Sequence, residues 1–154
     1  MTIQHLEHFL IQTADLAGTR DWYVQVLGMR DGWHPDFKFP VVWLYAGERD
    51  VLHLTEGGAG TSENRKRYLG QQSTETQGSG AIDHVAFRCT GLAQTIAHLR
   101  AEGVPFQQRM VSDQGLYQLF LFDPNGVKVE LNFANSEAIE HGIRPEVMAS
   151  ELSG

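Results

Sequence analysis

Two stretches of this chain, about 76 residues apart, carry the same unit written twice. The first copy opens with Leu6-Glu7-His8-Phe9-Leu10-Ile11 and closes with Val51-Leu52-His53-Leu54-Thr55. The second opens with Ile82-Asp83-His84-Val85-Ala86-Phe87 and closes with Val127-Lys128-Val129-Glu130-Leu131-Asn132. The repeat aligns His8 with His84 and His53 with Glu130. Three imidazoles and a carboxylate at matched positions raise the question of a metal site.

Each copy reads strand, helix, then further strands. In the first, a strand over His5 to Thr13 leads to Asp15, a helix N-cap type. Trp22, Tyr23, Val26 and Leu27 then fall at helical spacing, and Gly28 is a C-terminal stop. In the second copy Leu92, Ile96 and Leu99 share a helical face that ends at Gly103 and Pro105. Aromatic and β-branched runs follow each helix. Val41 to Tyr45 and Val51 to Thr55 flank a turn at Gly47-Glu48-Arg49-Asp50. Tyr117 to Phe122 and Val127 to Phe133 flank Asp123-Pro124-Asn125-Gly126, strong hairpin chemistry. Between the copies, Glu56 to Gly80 is glycine-rich and polar, as a linker, lid or binding loop would be. The tail from Ala134 holds two short helical segments, broken at Gly142 and Pro145, that could cover the sheet or pack on a second subunit.

Alternation with period two decides whether the four side chains can converge. Val129, Leu131 and Phe133 share one strand face and Glu130 lies on the other. Leu52 and Leu54 likewise oppose His53, Phe9 and Ile11 oppose His8, and Val85 and Phe87 oppose His84. All four candidates are thus expected on the face turned away from the helices. A cup formed by two such sheets about the pseudo-twofold axis of the repeat would gather them. Imidazole and carboxylate ligands suit Zn, Ni, Co, Mn or Fe(II). Taken singly, each His also reads as a hydrogen-bonded structural residue, and Glu130 beside Lys128 as a solvated one. His5, His34, His98 and His141 have no repeat partner and read as surface or structural residues, with His34 placed near a pocket mouth.

The bulk properties narrow the partners. A net charge of −7 over 154 residues, with no basic run, disfavours nucleic acid and anionic membrane surfaces. No apolar run is long enough for a membrane span, and no charged-then-apolar leader opens the chain. The single Cys89 cannot form an internal disulfide, so a reducing cytoplasm is the expected compartment. These properties leave a small-molecule substrate open as a partner.

From His5 to Phe133 the chain resembles the vicinal oxygen chelate superfamily, which includes glyoxalase I, methylmalonyl-CoA epimerase, fosfomycin-resistance proteins, extradiol dioxygenases and bleomycin-binding proteins. The resemblance is carried by His8 with Thr13-Ala14-Asp15-Leu16, Trp22-Tyr23, Val26-Leu27-Gly28-Met29, Asp83-His84-Val85-Ala86-Phe87, and Asp123-Pro124-Asn125-Gly126 running into Val129-Glu130-Leu131. It implies an α+β fold of two βαβββ modules related by a pseudo-twofold axis, forming an open cup-shaped mixed β-sheet. Residues 1–133 are then one domain (module one 5–55, loop 56–80, module two 81–133), with 134–154 a C-terminal tail. It further implies a divalent metal held by His8, His84 and Glu130, with His53 at a fourth ligand position. A homodimer is implied as well, with the site built within one chain or across two.

Three functional readings follow from that resemblance. In the first, a lyase or isomerase acts beside a carbonyl through a metal-stabilised enediolate, and Glu130 moves the proton. Glyoxalase I commonly has a carboxylate where His53 stands, Asp83 replaces the usual small residue or His, and no basic cluster is assignable to glutathione. In the second, a non-haem Fe(II) dioxygenase uses His8, His84 and Glu130 as its triad and His53 as an acid–base residue. Trp33, Phe37, Phe39, Trp43, Tyr45, Tyr117 and Phe120 would suit an aromatic ligand, or form core. The extradiol pattern expects a His within 111–115, which is absent, and a Tyr where Phe120 stands. The third is a non-catalytic small-molecule binder, whose known members generally lack the ligand set retained here. Lyase or isomerase chemistry is the expectation.

Overall fold

The computed structural model describes residues 1–70 and 74–148. It divides into two compact units, Met1–Gly78 and Ser79–Gly154. The first contains β1 (Phe9–Thr13), α1 (Leu16–Leu27), β2 (Arg30–Gly32), β3 (Val41–Ala46), β4 (Arg49–Glu56) and α2 (Glu63–Leu69). Its sheet has the order β1-β4-β3-β2, with β1 parallel to β4 and the other pairs antiparallel. The second contains β5 (Val85–Arg88), α3 (Leu92–Ala101), β6 (Gln107–Val111), β7 (Leu116–Phe122), β8 (Lys128–Ala134), α4 (Asn135–Glu140) and β9 (Val147–Met148). Its order is β5-β8-β7-β6-β9, again with a parallel first pair, β5 on β8. Each unit is therefore one βαβββ module, as the family resemblance implies.

Local chemistry explains the elements. The Asp15 side chain accepts from the Gly18 N–H at 2.9 Å and so caps α1. A Cβ at Gly18 would lie 2.2 Å from Asp15 Oδ2, so a side chain there would make the capping carboxylate shift. Gly28 closes the helix in the left-handed region (φ 67°), where side chains are strained. Tyr23 and Val26 of α1 are buried, as are Leu44, Leu52 and Leu54 of the sheet against which it lies. In the second unit Leu92, Ile96 and Leu99 form the buried face of α3, as their spacing predicts. Leu119, Leu121, Val129, Leu131 and Phe133 supply the buried sheet positions. Full burial of one such aliphatic contributes roughly 1.5–3 kcal/mol. The β7–β8 turn is tied by Asp123 Oδ1, which accepts from the N–H groups of Asn125 and Val127, both at 2.8 Å.

Three segments depart from the sequence reading. Strand β1 begins at Phe9, paired with Leu52, and not at His5. The residues before it leave Ile3 and Leu6 exposed, so no burial recruits them into the ladder. The segment between the modules holds helix α2, capped by Ser62, whose hydroxyl accepts from the Arg65 N–H. The tail packs within the second unit, where α4 lies on α3, β7 and β8. Its Glu137 carboxylate accepts from the N–H groups of Gly91 and Leu92 at 2.8 and 2.7 Å. That bond caps α3, whose own N-cap, Gly91, has no side chain for the task. The second helical segment expected in the tail is absent through Met148, where the chain forms β9 instead; residues 149–154 lie outside the described residues.

Candidate functional site

The four residues singled out from sequence form two pairs, one in each unit. In the first unit His8 sits one residue ahead of β1, and His53 lies in β4 with Leu10 and Trp43 as its ladder neighbours. The two imidazoles stack with centroids 3.8 Å apart and planes 19° off parallel. On its other face His53 stacks on Trp43, at 4.0 Å and 3°. His53 is thereby held between two rings with only 8% of its surface exposed. Its Nε2 lies 3.0 Å from Asp50 Oδ2.

The charges in this pair follow from burial and that bond. Burial depresses the His53 pKa; the Asp50 bond opposes this, and His8 adds to the depression. The bond to His53 holds the Asp50 carboxyl below its ordinary value. A neutral His53 then donates Nε2–H to an ionised Asp50, which leaves Nδ1 with its lone pair. Nδ1 of His8 is buried and makes no hydrogen bond, lying 3.5 Å from Glu7 Oε1.

Asp50 and His53 are three residues apart, so strict alternation would place them on opposite faces. A register shift brings them together. Leu44 pairs with Leu52 but Ala46 pairs with Arg49, so Asp50 and Val51 together oppose Tyr45. This is a β-bulge, and the extra residue turns Asp50 toward His53.

In the second unit His84 sits one residue ahead of β5, and Glu130 lies in β8 opposite Ala86 on one side and Phe120 on the other. His84 Nε2 is 2.9 Å from Glu130 Oε2. Its Nδ1 is 2.8 Å from Asp83 Oδ2, an oxygen that Lys128 Nζ also reaches. Bonds from Lys128 and then His84 hold the Asp83 carboxyl below its ordinary value. Glu130 is 7% exposed. Its Oε1 accepts from Gln118 Nε2 at 2.8 Å and Asn132 Nδ2 at 2.6 Å. Gln118 also donates to Asn132 Oδ1 at 3.1 Å, which locks the amides together. Glu130 is thus a carboxylate with one oxygen fixed by amides and the other turned to an imidazole.

Imidazole nitrogens and carboxylate oxygens are donor types that divalent cations take. A carboxylate–histidine contact such as Asp83–His84 or Asp50–His53 is the support that orients a metal-bound imidazole. Both nitrogens of His84 face carboxylate oxygens, so both bonds are made only by the doubly protonated ring, and a cation would replace the Nε2 proton. Among the described residues, no three His, Cys, Asp or Glu side chains form a group that could hold a metal.

Of the aromatic residues considered from sequence, Tyr117 is core, fully buried with its hydroxyl on Gln108 at 3.1 Å. Phe120 meets His84 edge-on at 6.1 Å and carries the Arg109 guanidinium 4.7 Å above its ring. Trp33, His34 and Phe37 surround Trp43 at 6.2–6.4 Å. Asp50, Gln118 and Asn132 were missed from sequence. The last two are reachable by alternation, because Gln118 pairs with Asn132 one step from Phe120–Glu130. Asp50 has only its position in the turn to mark it.

The family model for the Glyoxalase/Bleomycin resistance protein/Dioxygenase superfamily matches residues 5–131. Among solved structures, an integron cassette protein from the mobile metagenome of V. cholerae is 21% identical, with a TM-score of 0.63 over 86% of this chain and 97% of that one. Lactoylglutathione lyase from Agrobacterium tumefaciens is 17% identical, with a TM-score of 0.63 over 86% of this chain and 95% of that one. An antibiotic binding protein from a Streptomyces species is 17% identical, with a TM-score of 0.62 over 87% of this chain and 98% of that one. At these identities the likeness is one of fold. No described helix is long and apolar enough to cross a membrane.

Proposed function

Because the chain belongs to the Glyoxalase/Bleomycin resistance protein/Dioxygenase superfamily, we propose that it is a divalent-metal-dependent lyase or isomerase acting on a small molecule beside a carbonyl. His8, His53, His84 and Glu130 are the proposed ligands, within one chain or across two copies. When bound, the metal (Zn, Ni, Co, Mn or Fe(II)) supplies Lewis-acid polarisation of two neighbouring substrate oxygens.

The observation that carries this reading is the environment of Glu130. A nearly buried carboxylate whose Oε1 is held by Gln118 and Asn132 keeps Oε2 free of amide donors and aimed at His84. Such a group can take a proton from a carbon next to a carbonyl and return it to the neighbouring carbon. The amides fix its orientation through the transfer. Asp83 orients His84 through Nδ1, Asp50 orients His53 through Nε2, and the Trp43–His53–His8 stack keeps His53 from turning. The lone Cys89 supports a reducing cytoplasm as the working compartment, and the superfamily supports a homodimer.

A second reading has its own support. The Asp50–His53 bond makes an acid–base dyad, as a dioxygenase would need beside a triad of His8, His84 and Glu130. The test is reconstitution of metal-free protein with each cation. Isomerisation of a hemithioacetal or exchange of the proton beside an acyl-thioester carbonyl supports the first reading. Oxygen uptake with catechols, confined to the iron form, supports the second and rejects the first. A protein inactive in both assays is the small-molecule binder.

A further inference from the structure

Outside the paired histidines, the first unit carries an open groove of about 530 Å³, within the range of small-molecule sites. Its walls come from the segment before β3 and from α2, and include Phe37, Phe39 and Tyr68 with Lys38, Asn64 and Arg67. The three aromatic rings form one cluster, with centroids 5.2–5.8 Å apart. Yet Tyr68 is 65% exposed. A soluble chain gains nothing from leaving such a cluster open to water unless something covers it.

The polar groups at the groove differ in how far they are satisfied. Asn64 donates to the Lys38 carbonyl at 3.0 Å, which ties α2 to the wall. Lys38 pairs with Asp36 at 2.6 Å. Among the described residues, the Arg67 guanidinium has neither an acidic nor a carbonyl partner, and it stands beside the aromatic cluster. A net charge of −7 makes a cation that is unpaired among the described residues informative at an aromatic groove, because acidic partners are plentiful elsewhere.

We propose that this groove binds a planar aromatic carboxylate, the ring against Phe37, Phe39 and Tyr68 and the acid on Arg67. Aromatic walls favour a flat ring in offset or edge contact, and the guanidinium fork matches two carboxylate oxygens. Phe37 also meets Trp43, 6.2 Å away, and Trp43 stacks on His53. A ligand in the groove therefore sits one aromatic ring from the candidate chemistry. Its use as the anchor of a substrate rests on the metal-enzyme reading; the binding itself does not.

The experiment is calorimetric titration of the full chain, stripped of metal with EDTA, with 1-naphthoate and with the neutral 1-naphthalenemethanol. Saturable binding of 1-naphthoate is expected, weakened about tenfold by Arg67→Gln and by Tyr68→Ala, with the neutral compound weaker to a similar degree. Arg100→Gln, at an exposed arginine of the second unit, serves as a control and leaves the affinity unchanged. Both groove positions are exposed, so neither substitution threatens the fold. Failure of the wild type to bind, equal binding of the neutral compound, or binding that survives either substitution unchanged would overturn the proposal. Because metal is absent throughout, such a failure leaves the metal reading to its own test.

Discussion

His84, one residue ahead of β5, and Glu130, in its parallel partner β8, face each other across 2.9 Å. Each is braced from behind, His84 by Asp83 and Glu130 by Gln118 and Asn132. In the first unit His8 and His53 occupy the corresponding places, and there the imidazoles stack instead of bonding. One module thus offers two imidazoles and the other an imidazole and a carboxylate. That asymmetry follows from a single difference in the repeat, His53 against Glu130.

Asp50 orients His53 and is not itself a proposed ligand. Asp50→Ala should weaken metal binding by about 10- to 100-fold while the circular dichroism spectrum stays native. Competition against a chelating dye measures the affinity. An unchanged affinity would show that the Asp50–His53 bond plays no part in holding a cation.

The cap that α4 places on α3 should be a measurable share of stability. Glu137→Ala removes the acceptor for two backbone N–H groups and should cost about 1–2 kcal/mol. Urea denaturation of the two proteins measures it. A change within about 0.3 kcal/mol would mean that water replaces the carboxylate at no cost.

Burial pushes the Cys89 thiol above its ordinary value, outweighing the pull of Arg88 and the Asn132 backbone. Only the thiolate reacts, so a raised pKa means less reactive sulfur at neutral pH. Iodoacetamide should therefore modify Cys89 slowly at pH 7.5, and the rate should rise to a midpoint more alkaline than that of a free thiol. A midpoint below the free thiol's would contradict this.

Much of this was legible in the chain itself. The repeat located both modules, and Asp15, Gly28, Leu92, Ile96 and Leu99 marked their helices because capping and helical periodicity are local properties. Strand alternation set His53 opposite Leu52 and Leu54, and Glu130 opposite Val129 and Leu131. Asp50 escaped notice because a bulge, which depends on pairing with β3, reverses the alternation on which the reading relied. Helix α2 escaped because its hold is tertiary. Buried Arg65 reaches Gln12 at 3.0 Å and the Gly70 carbonyl at 3.1 Å, and Asn64 bonds Lys38. The same distance in sequence hid Glu137 as the cap of α3 and Tyr68 as the partner of Phe37 and Phe39.

The central claim is that His8, His53, His84 and Glu130 hold a metal, and elemental analysis of untagged protein purified anaerobically without chelators tests it most directly. The account predicts near-stoichiometric divalent metal in the wild type and loss of most of it in Glu130→Ala. His53→Ala should bind more weakly if His53 is a ligand, and should keep its metal but lose turnover if it is the acid–base residue. Metal content unchanged by Glu130→Ala, or a wild type that takes up no metal on reconstitution, would contradict the account.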